Sequence, residues 1–429
     1  MKTIHYSQAN FDRLVSELYD RPSYPPEIED SVKTILADVK KDGDDALIKY
    51  AKEFDNVDLT SDCFLVTEDE LNAAADLVDQ DSKDAINLAL ANVKSFAQER
   101  IPKEWTFSPR DGVTLGERFE PMDRVGVYIP GGTAPLASTV IHTAGIAAAA
   151  GVKEIVAVTP PGKDGKIHPG ILYAMKQAGV SEVYRLGGVY GIAALAYGTA
   201  TIDKVEKIVG PGNAYVTAAK KLVYGEVAID MVAGPSEIMI LGDDSVMPHF
   251  VAADMLSQAE HGSGLEQAVF VTTDAESAQL VEREILEQAN ALSRSETINK
   301  VLDKGIFFIV VEDIEQAVEV ASKYAPEHLE VMCRDADHIA RQVKAAGAIF
   351  IGPWTPEPVG DFVAGPSHVL PTAGSARFFS GLTVEGFFRR MSLVKYSRPA
   401  LEKELPAIKK FAEMEGLDAH GNSAAIRFQ

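Results

Sequence analysis

Between Arg124 and Asp243, short runs rich in β-branched residues alternate with alanine-rich stretches of helical spacing, and each run ends in glycine or proline: RVGVYIPGG, KEIVAVTPPG, EVYRLGG, KVEKIVGPG and EIMILGD. Alternation of this kind builds right-handed β-α-β units around a parallel sheet. A second series, AVFVTTD, IFFIVVED and AIFIGP, repeats the pattern from Ala268 to Pro353. At 429 residues the chain exceeds one core of ordinary size. Two α/β lobes with room for a cleft are therefore expected, rather than one long sheet.

The flanks read differently. From Pro25 to Asp55, Ile28, Val32, Ile35 and Val39, then Leu47, Tyr50, Ala51 and Phe54, recur at helical spacing across a break at Asp42-Gly43-Asp44. A second helical pattern fills Glu68 to Glu99, and the turn at Asp111-Gly112 leads into strand-like sequence. The first hundred residues are thus read as mainly helical. After Leu393 strand-like runs cease, and Leu401, Leu405, Ile408 and Ala412 mark an amphipathic helix before the polar stretch EGLDAHGNSAAIRFQ. A histidine in such a tail frays in solvent unless it docks on something else.

Charge and cysteine content exclude several partners. With 63 acidic and 41 basic residues the formal charge is −22, which repels a phosphate backbone. The basic clusters Lys40–Lys41, Lys220–Lys221, Arg389–Arg390 and Lys409–Lys410 are only pairs, as solvated helix faces provide. No nucleic acid is expected. Cys63 and Cys333 have no neighbours at metal-ligand spacing, which argues against a cysteine zinc site or a disulfide framework and suits the cytoplasm. MKTIHYSQANFDRLVSELYD lacks the apolar core of a signal peptide, and no stretch approaches roughly eighteen uninterrupted apolar residues, so neither export nor a membrane partner is expected.

Four places could carry chemistry. In the helix VAADMLSQAEH, from Val251 to His261, a rotation of about 100° per residue gathers Asp254, Gln258 and His261 on one side, where Gln258 and His261 could share a cation or simply face water. YAPEHLEV sets Glu327 beside His328 just before a strand, the histidine suited to accept an alcohol proton and the carboxylate to activate water. TPEPVGDFVAGPSHVLPT places Asp361 and His368 in a proline- and glycine-rich loop that either aims them inward or merely turns the chain. The turns PGG after VGVYI and GPGN after EKIV leave amides free to meet a phosphate, although neither is GxGxxG; AGPSE, with Ser236, is a similar tight turn.

VGVYIPGG, GIAALAYGT, KIVGPGNAYV, IDMVAGPSE, LSQAEHG, YAPEHLE, GDFVAGPSHVLPT and EGLDAHGNS, in this order, resemble the histidinol dehydrogenase family from about residue 25 to the end. The resemblance implies one zinc per site, on Gln258, His261, Asp361 and His420, holding the substrate by its imidazole and amino nitrogens. It implies catalysis by Glu327 and His328, and substrate contacts at Ser236, Gln258, His261, His328, Glu357, Asp361, Glu415 and His420. For NAD it points to Tyr128 and Asn213. At a third NAD position the family usually has glutamine, in GGAQA, where this chain reads GGVYG and puts Tyr190. A tyrosine cannot present an amide's paired donor and acceptor.

The implied reaction is the NAD-linked oxidation of L-histidinol through L-histidinal to L-histidine, which ends histidine biosynthesis. The alternative is a sister dehydrogenase acting on another small alcohol, such as a sulfonated diol. The implied fold is α/β: an N-terminal helical segment (1–24), a discontinuous first lobe (25–128 with 237–381), a second lobe (129–236) and a tail domain (382–429). The lobes are incomplete Rossmann-like units, and the tail crosses to the partner in a homodimer. His420 and Glu415 would then complete the neighbouring subunit's site.

Overall fold

In this computed structural model the structure describes residues 1–19, 21, 25–131 and 135–429. The end of the expected N-terminal segment, at 22–24, and Gly132 of the PGG turn lie outside the described residues. The strands are β1 (Lys2–His5), β2 (Trp105–Arg110), β3 (Val113–Pro121), β4 (Arg124–Tyr128), β5 (Glu154–Val158), β6 (Glu182–Tyr184), β7 (Lys207–Val209), β8 (Ala228–Ile229), β9 (Glu237–Gly242), β10 (Gln267–Thr272), β11 (Ile306–Val310), β12 (His328–Met332), β13 (Ala348–Ile351) and β14 (Phe388–Tyr396).

Eleven of them form two parallel sheets, ordered β6-β5-β4-β7-β8 and β1-β11-β10-β9-β12-β13. Counted from β4 and from β9, both run 3-2-1-4-5, the half-sheet order of a Rossmann fold, and the larger adds β1 outside β11. The two α/β lobes read from the sequence are present.

Their strands are continuous apolar runs because helices cover both faces. In the six-stranded sheet Ile238, Ile240, Phe270 and Phe308 pack under the helices Pro248–Ala259 and Ala275–Ala289, while Met239, Leu241, Val269 and Leu329 face the helix Ile314–Tyr324. The five-stranded sheet is covered likewise. Val125, Val127 and Ile155 meet the helices Gln80–Glu99 and Ala137–Ala149, whereas Val156, Val158 and Ile208 meet Ile28–Asp42 and Gly188–Tyr197.

This packing corrects the expected division of the chain. The helices between residues 28 and 99 join the five-stranded sheet, as does β4 through its pairing with β5 and β7, so this stretch does not accompany 237–381. Helical periodicity reveals an apolar stripe but not the sheet that stripe will cover. The N-terminal segment is not wholly helical either, because β1 pairs with β11 and buries Ile4 before the short helix Phe11–Glu17. Strand structure also continues past Leu393: β14 pairs antiparallel with β3 from Phe388 to Tyr396, in a third sheet ordered β14-β3-β2.

Beyond β14 lie the helices Arg398–Glu415 and Asp418–Ala425, where Phe411, Met414 and, in the link between the two, Leu417 remain exposed. Among the described residues no helix is long and apolar enough to cross a membrane.

Candidate functional site

The larger sheet assembles its polar side chains at the amino ends of β9 and β12. The helix Pro248–Ala259 follows β9 and returns along it, which brings its carboxyl end back to that edge. Gln258 is wholly buried there rather than solvated, and His261, two residues past the helix, lies with Nδ1 3.2 Å from the Gln258 amide nitrogen. An amide and an imidazole this close converge on one point.

His328 opens β12 and is buried. Its Nδ1 lies 3.1 Å from the Glu237 carbonyl oxygen and 3.0 Å from Gln258 Oε1. Both neighbours are acceptors, so Nδ1 carries the hydrogen and Nε2 keeps a free lone pair. Nε2 has no hydrogen-bond partner and looks toward Glu357 Oε1 at 3.8 Å and Asp361 Oδ1 at 3.7 Å. Burial lowers the pKa of His328 against the opposing pull of Glu357, which favours the neutral ring.

Glu327, also buried, accepts the Glu237 N–H at 2.9 Å. The backbone of one residue, Glu237, thereby holds both members of the Glu-His pair, its N–H bonding Glu327 and its carbonyl His328. Burial raises the Glu327 carboxyl well above its ordinary range, and Glu237, Asp361 and Glu357 add to the effect. The Glu237 side chain is pinned by Arg21 at 3.1 Å and by the Ala373 N–H at 3.0 Å, and burial pushes it up to about 7 despite Arg21.

Glu357 begins the short helix Glu357–Phe362, which carries Asp361 out of the expected loop. Its N–H donates to Glu330 Oε1 at 2.7 Å and Ser257 Oγ donates to its Oε2 at 3.2 Å, while Oε1 is buried without a partner. His368 lies with Nδ1 3.2 Å from the Asp361 carbonyl and stacks on the buried His142, ring centroids 4.5 Å apart. Ser236 immediately precedes β9 at the same edge. Glu415 and His420 are elsewhere, exposed on the tail.

The structure therefore gathers Gln258, His261, His328, Glu357 and Asp361, with Glu327 behind them. The ligand atoms of His328, Glu357 and Asp361 all lie within 4.8 Å of one another. Carboxylates drawn this far from water fit a divalent cation, whose charge would offset their desolvation, while the His328 Nε2 lone pair faces the same point and stays free to take a proton.

The smaller sheet offers a different feature. Its strand order reverses between β4 and β7, and in open α/β sheets ligands bind outside the carboxyl ends at that point. Tyr128 closes β4, its hydroxyl accepting the Gly188 N–H at 3.2 Å. After β7, Gly210 has φ +120°, and a Cβ there would overlap the Tyr128 carbonyl oxygen. Its N–H donates to Asp230 Oδ2 at 2.7 Å, and its carbonyl accepts from Lys220, itself in a buried ion pair with Asp230. Asn213 caps the helix Ala214–Val223 through its side-chain oxygen, leaving its amide nitrogen as a donor. Gly210→Ala should cost about 1–3 kcal/mol or more from backbone strain alone. The expected result is a lower melting temperature together with weakened NADH binding.

The family model for histidinol dehydrogenase matches residues 21–428. The chain is 44% identical to a histidinol dehydrogenase from Synechococcus sp. over 423 residues, 99% of this chain and 97% of the relative. It is 45% identical to one from Clostridium acetobutylicum over 403 residues, 94% and 93% of the two chains. A crystal structure of histidinol dehydrogenase from Elizabethkingia anophelis superposes with a TM-score of 0.94 at 36% identity, covering 100% of this chain and 98% of that one. The chain belongs to the histidinol dehydrogenase family.

Histidinol dehydrogenases are NAD-dependent oxidoreductases, and the glycine-lined crevice between β4 and β7 suits a dinucleotide. Tyr128 and Asn213 lie at its two sides. Tyr190 does not lie on the crevice surface: it is fully buried in the helix Gly188–Tyr197, and its hydroxyl donates to Asp55. Residues 230–236 connect the carboxyl end of this sheet to the amino end of β9, where the carboxylate cluster lies. Sequence reasoning missed Glu237 and Glu330, although an acid inside an otherwise apolar strand signals a purpose for its burial.

Proposed function

We propose that this chain oxidises L-histidinol through L-histidinal to L-histidine, as a cytoplasmic homodimer that uses zinc and NAD. The observation that carries the reading is His328, whose buried Nε2 is free of any donor and faces Glu357 and Asp361. Gln258, His261 and Asp361, with His420 from a second copy, would hold the zinc. When bound, zinc fixes the substrate by its imidazole and amino nitrogens and NAD accepts one hydride per oxidation.

His328 Nε2 takes the alcohol proton as the carbon loses its hydride, and the Nδ1–H bond to the Glu237 carbonyl steadies the resulting imidazolium. Glu327 then removes a proton from the water that adds to the aldehyde, and the hydrated aldehyde gives up the second hydride. Burial of both residues keeps the aldehyde from bulk solvent. Glu357 and Glu415 would face the substrate's ammonium and imidazole, with Ser236 at the rim. A sulfonated diol would instead bring an anion against these carboxylates, which disfavours the sister activity.

Purified protein given L-histidinol and NAD should release two equivalents of NADH per substrate. A panel of other small alcohols measured alongside decides the matter: turnover of one of them with none of L-histidinol overturns the reading.

A further inference from the structure

We propose that Asp55 is the carboxylate that reads the adenosine ribose of the dinucleotide, and that Tyr190 sets its position without touching the cofactor. The inference rests on the dinucleotide reading above and goes on to assign NAD over NADP.

In a sheet of this order the first three strands, here β4, β5 and β6, carry the adenosine half, and an acid after the second strand accepts the ribose hydroxyls. β5 itself ends without an acid, running on into Thr159-Pro160-Pro161-Gly162, and the first carboxylate after it, Asp164, is six residues on and accepts the Lys166 N–H at 3.1 Å. Asp55 fills the vacancy from outside the sheet. It ends the single π-helical turn Ala51–Asp55 and is followed by Asn56 in the left-handed region at φ 55°. A Cβ built on Gly187 would lie 3.3 Å from Asp55 Oδ2 and 2.6 Å from the Pro160 Cβ. Asp55 therefore meets the ends of β5 and β6 at one point, beside the Gly188 N–H that Tyr128 accepts.

Tyr190 lies beneath. Its buried hydroxyl donates to Asp55 Oδ2, and burial followed by the Asp55 charge raises its pKa, which keeps it a donor. Oδ1 accepts no hydrogen bond among the described residues, and Asp55 is only partly buried. A carboxylate with one oxygen tethered from below and the other open accepts ribose hydroxyls and repels a 2′-phosphate. The tyrosine where the family usually has glutamine is thus half of a Tyr-Asp pair rather than a lost cofactor contact.

Equilibrium titration with NADH and with NADPH, followed by nucleotide fluorescence, reads this directly and needs no turnover. The wild-type chain should prefer NADH. Asp55→Asn, which can still accept the Tyr190 hydroxyl, should loosen NADH by roughly ten- to a hundredfold and leave NADPH unchanged or tighter. Tyr190→Phe keeps the ring in the core and should move the ratio the same way by less. An unchanged NADH/NADPH ratio in a normally melting Asp55→Asn protein overturns the proposal. Should that variant fail to fold, equal weakening of both nucleotides in Tyr190→Phe overturns it as well. If the wild type still oxidises L-histidinol with NAD, only this inference has fallen; binding of neither nucleotide removes the dinucleotide reading with it.

Discussion

Glu327→Gln is expected to stop the reaction at the aldehyde. The Glu237 N–H that holds Glu327 Oε2 can be accepted equally by a glutamine oxygen, so the side chain keeps its place and loses only its basicity. General-base catalysis contributes roughly 10²–10⁴-fold, and that is the expected loss in the second oxidation. The first oxidation uses His328 Nε2, which Glu327 does not touch: the nearest approach of the pair is 3.7 Å, to Nδ1. NADH formed per histidinol in a single turnover should fall from two equivalents toward one, with L-histidinal oxidised slowly when supplied directly. Since burial raises the Glu327 carboxyl and its base form is the working one, the wild-type second step should quicken as pH rises. Equal loss of both oxidations in the variant contradicts the role.

The two parallel sheets were legible in the sequence because strands such as EIMILG and IFFIV are apolar throughout, and helices between them force parallel pairing. β1 was not legible, since KTIH offers one buried side chain and no period. β14 was not either, because its exposed antiparallel ribbon follows no strong apolar run. The site was less legible than the fold. Glu327 and His328 were legible as a candidate pair in YAPEHLEV, but nothing local reveals that the backbone of Glu237 clamps them both. Tyr190 marks the limit of motif transfer: position in GGVYG places it beside the cofactor, whereas the packing of its helix turns it inward onto Asp55. Spacing along the chain cannot show which way a ring faces on a helix buried all round.

Two variants that each fail to make L-histidine should rescue each other. His420 and Glu415 are exposed on the two tail helices, beside exposed Phe411, Met414 and the linking Leu417, far from what a lone subunit needs of a metal ligand. A tail that completes a second copy's site accounts for both the stranded histidine and the uncovered apolar side chains. His420→Ala alone should abolish both oxidations, as should stripping the metal with a chelator, and added zinc should restore only the chelated wild type. Glu327→Gln and His420→Ala chains unfolded and refolded together should then recover complete conversion to L-histidine. Half of randomly paired dimers would be mixed, and each would hold one site with a native Glu327 and a native His420 from opposite chains. That arithmetic sets the recovery at about a quarter of the wild-type rate. A tail that folds back on its own subunit gives no recovery at any mixing ratio, because every site would then lack either the glutamate or the histidine.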